Sequence, residues 1–590
     1  MIDLPPLPRP QPVRLLAALR RRLRSSELWL VALAVAVGAA AGLLAEFQAG
    51  LAHGMQRFLY GLSADARLSA QARIAPAALL WLPVGGLLLG AVSWLAARRR
   101  RAALVDVVEA NALHGGVLGV VDSLIVCGQT LISNGFGASV GLEAAYAQAG
   151  GATASVVGQR LRLRRHDLRI MLGAGAGAAI AAAFGAPLTG AFYAFEIVIG
   201  SYTPSAIAPV AAACLAAVLT AKAVGGASYR IDIHPTHAPD LTGYLLFAGL
   251  GLVCALVGIA IVLLVGRMER AVRASPIPPT LRPAVGGALL AGVALLSPQA
   301  LSAGHGALHV DLLIGLPLAL LALIFALKTA GSVISLGFGF RGGLFFASLF
   351  LGSLVGQIYA GAVDLAFAGV KLSPENAALV GMGALGVAVV GGPLTMSFLV
   401  LESTRDFGVA AATLAAALIA STVVRERFGY SFSTWRLHLR GETIRSARDV
   451  GWMRTLTAER MMRRDVQRLP DDATVADFRR RIPLGSTSRV ILEDAAGRYA
   501  GLVITAQAYA EGLDPEAPVA SVAISQDLAL SPDMDVAAVM RTFEATETEE
   551  LPVIDADRRV LGLLAEAYAT RRYAHELERR HLELFGEARS

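Results

Sequence analysis

The sequence predicts an all-α polytopic membrane protein built from many broken helices, followed by a small α/β domain outside the membrane. Three observations carry this. First, 55 % of the 590 residues are hydrophobic, mean hydropathy is +0.58 and only 16 % of residues are charged, where soluble domains sit near 25 %. Second, 25 of the 45 acidic residues fall between Asp449 and Ser590, so an acid-poor apolar body precedes a polar tail. Third, Gly and Pro interrupt several of the apolar stretches, as in Gly173-Ala-Gly-Ala-Gly177, Gly185-Ala-Pro187 and Gly391-Gly-Pro393.

Residues 1–27 read as a cytosolic arm, because they are Pro-rich and basic (Arg14, Arg20, Arg21, Arg22, Arg24) and lack a signal-peptide cleavage pattern. A first span is expected at about 28–44. A second, at about 75–97, ends in Arg98 to Arg101, so an out-and-back hairpin carries basic flanks on one side. The net charge of +7 and pI near 9.5 therefore reflect topology, and nucleic acid is rejected as a partner. Further apolar stretches lie near 170–199, 205–221, 243–266, 284–297, 310–329, 344–362, 377–401 and 408–424. Cys127, Cys214 and Cys254 sit in apolar surroundings with neither a disulfide framework nor metal spacing.

Lipid cannot satisfy an interrupted backbone, so helices broken at membrane depth must line a cavity or be buried in protein. Close packing through small residues would also produce such glycines. An internal repeat favours the cavity. Gly185-Ala-Pro-Leu-Thr-Gly-Ala-Phe-Tyr-Ala-Phe-Glu196 matches Gly391-Gly-Pro-Leu-Thr-Met-Ser-Phe-Leu-Val-Leu-Glu402, with both Pro187/Pro393 and Glu196/Glu402 lying 206 residues apart. Gly141-Leu-Glu143-Ala and Gly342-Gly-Leu-Phe345 form a second pair about 200 residues apart. Paired interrupted segments point to a substrate site between two halves.

Half-helices starting inside the membrane present unpaired N–H groups and a positive dipole end, which together form an anion site without a formal charge. Such a site suits a mobile anion, which a fixed cation would hold too tightly to conduct. Lys222 and Lys328 are the main isolated lysines within the apolar stretches, and both are long enough to snorkel to an interface. Glu143, among apolar and small neighbours, is the most informative residue, since an intramembrane carboxylate is a functional candidate by default. It could compete with the anion when ionised and withdraw when protonated; a plain helix-start cap is the simpler alternative. Glu196 and Glu402 read as structural acids near helix ends.

At these residues the chain resembles the CLC family of chloride channels and chloride–proton antiporters, over about 28–440 and more loosely in the tail. Gly141-Leu-Glu-Ala-Ala resembles the family segment G-[KR]-E-G-P, and Gly342-Gly-Leu-Phe-Phe-Ala-Ser resembles G-G-x-F-x-P. Ala183-Phe-Gly-Ala-Pro-Leu-Thr-Gly and Val389-Val-Gly-Gly-Pro-Leu-Thr resemble its two Pro-Leu segments. The resemblance implies a bacterial inner-membrane homodimer with cytosolic termini. Each subunit would hold one pore, walled by inverted halves at about 28–222 and 240–440. It implies Glu143 as the gate, and backbone amides around Leu142 to Ala144 and around Leu344, Phe345 and Phe346 as the anion ligands.

Departures from the family pattern bear on mechanism. The family serine that touches the anion falls on Ala102, and the pore tyrosine falls on Ser433 or on the neighbouring Phe432. The family's inner proton-path acid falls on Ile197, next to Glu196. Antiport needs a relay of titratable groups, so the missing acid leans the reading to a passive, voltage- or pH-gated chloride channel. A chloride/proton antiporter using another inner route is the alternative. Fluoride exporters usually lack a glutamate at the gating position and resemble the chain less.

After a linker at 441–454 the tail alternates β and α. Val490-Ile-Leu-Glu-Asp and Leu551-Pro-Val-Ile-Asp open parallel segments 61 residues apart. This resembles a tandem CBS pair, 455–512 and 513–573, followed by a charged helix at 574–590. Such pairs often bind adenine nucleotides. Thr505 lies near the position this requires, whereas the second copy reads Ala565-Glu566, so a dimerising structural module is favoured. No other cofactor or metal is expected. A membrane-embedded enzyme would need converging groups, yet His114, His305 and His309 are scattered among glycines without metal spacing. A membrane-anchored sensor would not need a repeated, broken-helix body. The chain is therefore read as a transporter of small anions and not an enzyme.

Overall fold

Helix starts in this chain are written plainly in the sequence, and they set the architecture. Asp106, Asp240, Ser373 and Asp406 each accept a hydrogen bond from a first-turn N–H, and Pro187, Pro204, Pro374 and Pro393 open helices at positions that need no N–H donor. The computed structural model describes residues 27–99, 104–225, 240–367, 371–432, 434–435 and 456–572. The chain divides into two units, Met1–Asp449 and Val450–Ser590, each described by itself.

The first half of the membrane unit runs α1 (Glu27–Tyr60), α2 (Trp81–Arg99), α3 (Val107–Leu113), α4 (Val120–Gly135), α5 (Glu143–Leu161), α6 (Arg165–Phe184), α7 (Pro187–Tyr193, continued by a π-helical turn Ala194–Ile199) and α8 (Pro204–Ala223). The second half repeats the order: α9 (Leu241–Ala274), α10 (Arg282–Leu296), α11 (His305–Ile314), α12 (Leu318–Gly337), α13 (Phe345–Ala366), α14 (Pro374–Val390), α15 (Pro393–Thr404) and α16 (Phe407–Arg427). Eight described helices are long and apolar enough to cross a membrane. The two helices that open the halves are both 34 residues long.

Equivalent contacts recur in both halves. Glycine lets α1 approach the backbone of α8 at Gly38 and Ala213, and α9 approach α16 at Gly251 and Ala416. Gly150 of α5 meets Gly175 of α6, and Gly352 of α13 meets Gly381 of α14, so close that a Cβ would overlap the opposite carbonyl. Across the halves, Gly86 of α2 meets Pro283 of α10, while Gly287 of α10 meets Leu82 of α2. Such reciprocity is the mark of a local two-fold relation.

The relation is clearest where the breaks occur. Glu402 accepts from the N–H groups of Leu188 (2.9 Å) and Thr189 (2.8 Å) and from the Thr189 hydroxyl (2.7 Å). Glu196 accepts from Leu394 (3.1 Å), Thr395 (2.8 Å) and the Thr395 hydroxyl (2.7 Å). Each half's glutamate thus caps the broken helix of the other half, and Phe192 stacks on Phe398 between them, ring centres 4.4 Å apart. For each C-terminal acid to reach the other's N-terminus, α7 and α15 must run antiparallel.

Three expectations are corrected. The region 107–161, assigned no span from sequence, holds α3, α4 and α5. Its many Gly, Ala, Ser and Gln residues are buried against protein, so its hydropathy understates its depth. The segment expected at 310–329 is cut by Gly315 (φ 63°) and Pro317, and the helix starts at Leu318. Lys328 does not snorkel: it is fully buried.

In the C-terminal unit β1 (Arg468–Pro470), β2 (Arg489–Glu493) and β3 (Tyr499–Ile504) form one sheet, and β4 (Glu550–Ile554) and β5 (Val560–Ala565) form another. Each sheet packs a helix, Val475–Arg481 or Val536–Thr546, over a core centred on Phe478 or Phe543. The two copies exchange their opening segments. Thr457 and Arg463 bridge to Asp535 and Leu563 of the second copy, and Pro518 bridges back to Thr474 of the first.

Glu196→Ala or Glu402→Ala strands two helix-start N–H groups and a threonine hydroxyl. Each substitution is expected to lower unfolding stability in detergent by about 2–4 kcal/mol, read as a fall in thermal midpoint against the parent.

Candidate anion site

Two loops bring the starts of α5 and α13 together. Each loop leaves its preceding helix through a glycine with positive φ, Gly137 (90°) and Gly339 (97°), a turn open to glycine at little cost. Ser133 accepts a hydrogen bond from the N–H of Arg341 (2.9 Å), and Ser335 accepts one from the N–H of Ser139 (3.0 Å), so each loop is pinned to the helix before the other. At their tips Gly141 N–H donates to the Gly343 carbonyl (3.0 Å) and Gly343 N–H to the Gly141 carbonyl (3.3 Å), an antiparallel two-residue bridge. Both halves read S-x-G-F-G-x-x-x-G-L, from Ser133 and from Ser335. That repeat is the sequence signal for these positions, and it extends well beyond the glycines at its end.

Glu143 opens α5 and is buried. Its Oε1 accepts from the N–H of Phe346, in the first turn of α13, at 3.2 Å. Its Oε2 is buried without a hydrogen-bond partner. A Cβ on Gly141 would overlap this carboxylate, and one on Gly343 would stand 3.4 Å from it, so two glycines shape the seat. Lys328 of α12 lies behind the loop and donates to the Ser139 hydroxyl (3.0 Å) and to the carbonyls of Ser302 (2.6 Å) and Ala300 (3.4 Å). A carboxylate here faces the positive ends of two helices, the arrangement that binds anions.

Glu143 also stands between two cavities and contributes to the wall of each. One, of about 120 Å³, is lined among others by Asp106, Ala144, Tyr193, Ile197, Arg341, Leu344, Phe345 and Phe432. The other, of about 80 Å³, is lined by Leu142 together with polar groups including Glu46, His53, Arg67, Asn134 and His305. Of the residues singled out from sequence, the site brings together Glu143, Leu142, Ala144, Leu344, Phe345 and Phe346, with Ile197 and Phe432 on the wall of the larger cavity. Ala102 and Ser433 lie outside the described residues. Glu196 is turned toward α15, and its carboxylate is taken up by the cap described above. Asp106, Tyr193 and Arg341 were missed. Asp106 reads as an ordinary N-cap and does cap α3; nothing in the local pattern of Tyr193 or Arg341 sets them apart from other helix and loop residues. In the C-terminal unit Thr505 follows β3, buried, with its hydroxyl unpartnered.

The fold and site define a class: a polytopic membrane protein in which two inverted halves bring two helix starts together around a buried carboxylate. The sequence profile described as voltage gated chloride channel matches residues 89–425, and the CBS domain profile matches residues 519–572. The chain belongs to the voltage gated chloride channel family, the CLC family. A ClcB-like protein of Ralstonia nicotianae is 30 % identical over 363 residues, which is 59 % of this chain and 82 % of that protein. A voltage-gated ClC-type chloride channel, ClcB, of Escherichia coli is 26 % identical over 368 residues, covering 62 % and 86 %. A slow cyanobacterial Cl⁻/H⁺ antiporter superposes with TM-score 0.60 at 23 % identity, covering 70 % of this chain and 97 % of that one. A eukaryotic CLC transporter superposes with TM-score 0.58 at 17 % identity, covering 94 % and 98 %.

Lys328→Met removes the donor for one hydroxyl and two carbonyls behind the seat. A loss of about 2–3 kcal/mol is expected, visible as a lowered thermal midpoint of the purified protein.

Proposed function

We propose that this protein carries chloride passively through a CLC-type pore, one in each subunit of a homodimer, with Glu143 as the gate. The observation that carries the reading is the position of Glu143: one carboxylate occupies the amide seat and separates two cavities. Ionised, it fills the place of the anion, held by the N–H of Phe346 and the positive ends of α5 and α13. Protonated, it loses the charge that holds it, and an anion can take the seat among the amides of Leu142, Ala144, Leu344, Phe345 and Phe346. Flux should therefore rise as pH falls through the titration of this group.

Passive transport rests on the wall of the larger cavity. Ile197 offers no proton acceptor, and the neighbouring Glu196 is committed to the cap of α15. One observation supports the second reading, proton-coupled exchange: Asp106 lines the same cavity as Ile197 and Glu143, on a different helix from the missing acid. The basic flanks of the first spans support a bacterial inner-membrane protein with both termini cytosolic. The C-terminal pair is read as a structural module, with no nucleotide required for conduction. No chemical step is assigned, and the protein is not an enzyme in this reading.

Chloride efflux from proteoliposomes, with external pH recorded, tests both readings. Chloride movement without proton counterflow is expected, with Glu143→Gln giving fast efflux that no longer responds to pH. A fixed proton-to-chloride ratio that Asp106→Asn abolishes would overturn passive conduction in favour of exchange. An unaltered pH response in Glu143→Gln would remove the gate.

A further inference from the structure

The features the two halves share are accounted for by the fold, so departures from their symmetry mark function. One such departure faces the anion cavity. Helix α15 is regular to its end, whereas its counterpart α7 opens after Tyr193 into the π-helical turn Ala194–Ile199. Such turns insert a residue into a helix and occur often at functional sites. The position equivalent to Tyr193, 206 residues on, is the buried Leu399. The first half thus carries a phenol where the second carries an apolar side chain.

Tyr193 is only 8 % exposed and lines the larger cavity together with Glu143, Leu344 and Phe345. Its ring packs against that of Phe345, in the first turn of α13, with centres 6.1 Å apart. Buried tyrosine hydroxyls usually find a hydrogen-bond partner. This one has none among the described residues, and Tyr193 lines the cavity. Phe432, on the same wall, has no hydroxyl to offer.

We infer that Tyr193 is an anion-binding residue: its phenol O–H donates to the permeating anion on the cavity side of Glu143, supplementing the backbone amides of α13. The ring is held by Phe345, so the donor is in place before the anion arrives and little side-chain entropy is lost on binding. A neutral hydroxyl adds a directed hydrogen bond without the trapping charge of a buried cation. It also favours a small, strongly hydrogen-bonding anion such as chloride over a large, diffuse one such as thiocyanate.

This inference rests on the conduction reading above. The test is chloride binding by isothermal titration calorimetry on the full-length protein in detergent, paired with flux from proteoliposomes. Tyr193→Phe removes one oxygen from a packed ring. It is expected to weaken chloride binding about tenfold or more, as for a lost hydrogen bond to a charged group, and to lower the chloride-to-thiocyanate flux ratio. Adding Phe432→Tyr to that variant returns a hydroxyl to the same cavity and should recover part of the affinity, which a purely structural role for Tyr193 would not produce. If the parent binds chloride and Tyr193→Phe binds it equally tightly with an unchanged flux ratio, the inference fails and conduction stands. If the parent neither binds nor passes chloride, the conduction reading fails and takes this inference with it.

Discussion

The structure depends on one meeting: the starts of α5 and α13, held face to face by the Gly141–Gly343 bridge. Two helix N-termini would repel one another across a low-dielectric gap unless something negative lay between them. In this chain the Glu143 carboxylate fills that role. Much of the surrounding fold holds the two ends in place. Ser133 and Ser335 pin the loops, Lys328 backs one of them, and paired glycines pull α5 onto α6 and α13 onto α14.

Burial of a lysine behind the seat of a buried carboxylate looks contradictory, since the two would be expected to pair. The geometry resolves it. Lys328 spends its three N–H donors on Ser139 and the carbonyls of Ala300 and Ser302, away from the carboxylate. All three contacts lie within the protein behind the loop, so Lys328 holds that loop in place and makes no hydrogen bond to the carboxylate.

Much of this was legible in the residues. The Pro-Leu-Thr repeat and its trailing glutamates were visible at a fixed offset, and the structure makes both acids caps, as their place at helix ends suggested. Glu143 stood out because a carboxylate amid apolar residues needs a reason. What stayed hidden depended on distant contacts. That Glu402 caps α7 and not its own half cannot be read from either segment alone. The burial of Lys328 follows from partners 26 and 189 residues away. Helices α3 to α5 escaped notice because hydropathy measures affinity for lipid, and these elements turn polar and small residues onto protein. Tyr193 looked like part of an apolar run until the cavity beside it came into view.

The exchanged caps have a bearing on descent. Neither half can finish its own broken helix, for the acid that completes it sits in the other. Yet the arrangement is self-complementary: two copies of a single half, laid one upside down against the other, would satisfy every such end. A single half paired with an inverted copy of itself would already complete both broken helices. Once joined, a glutamate lost from one half would harm the opposite half, binding the fates of two segments that share no local contact in sequence.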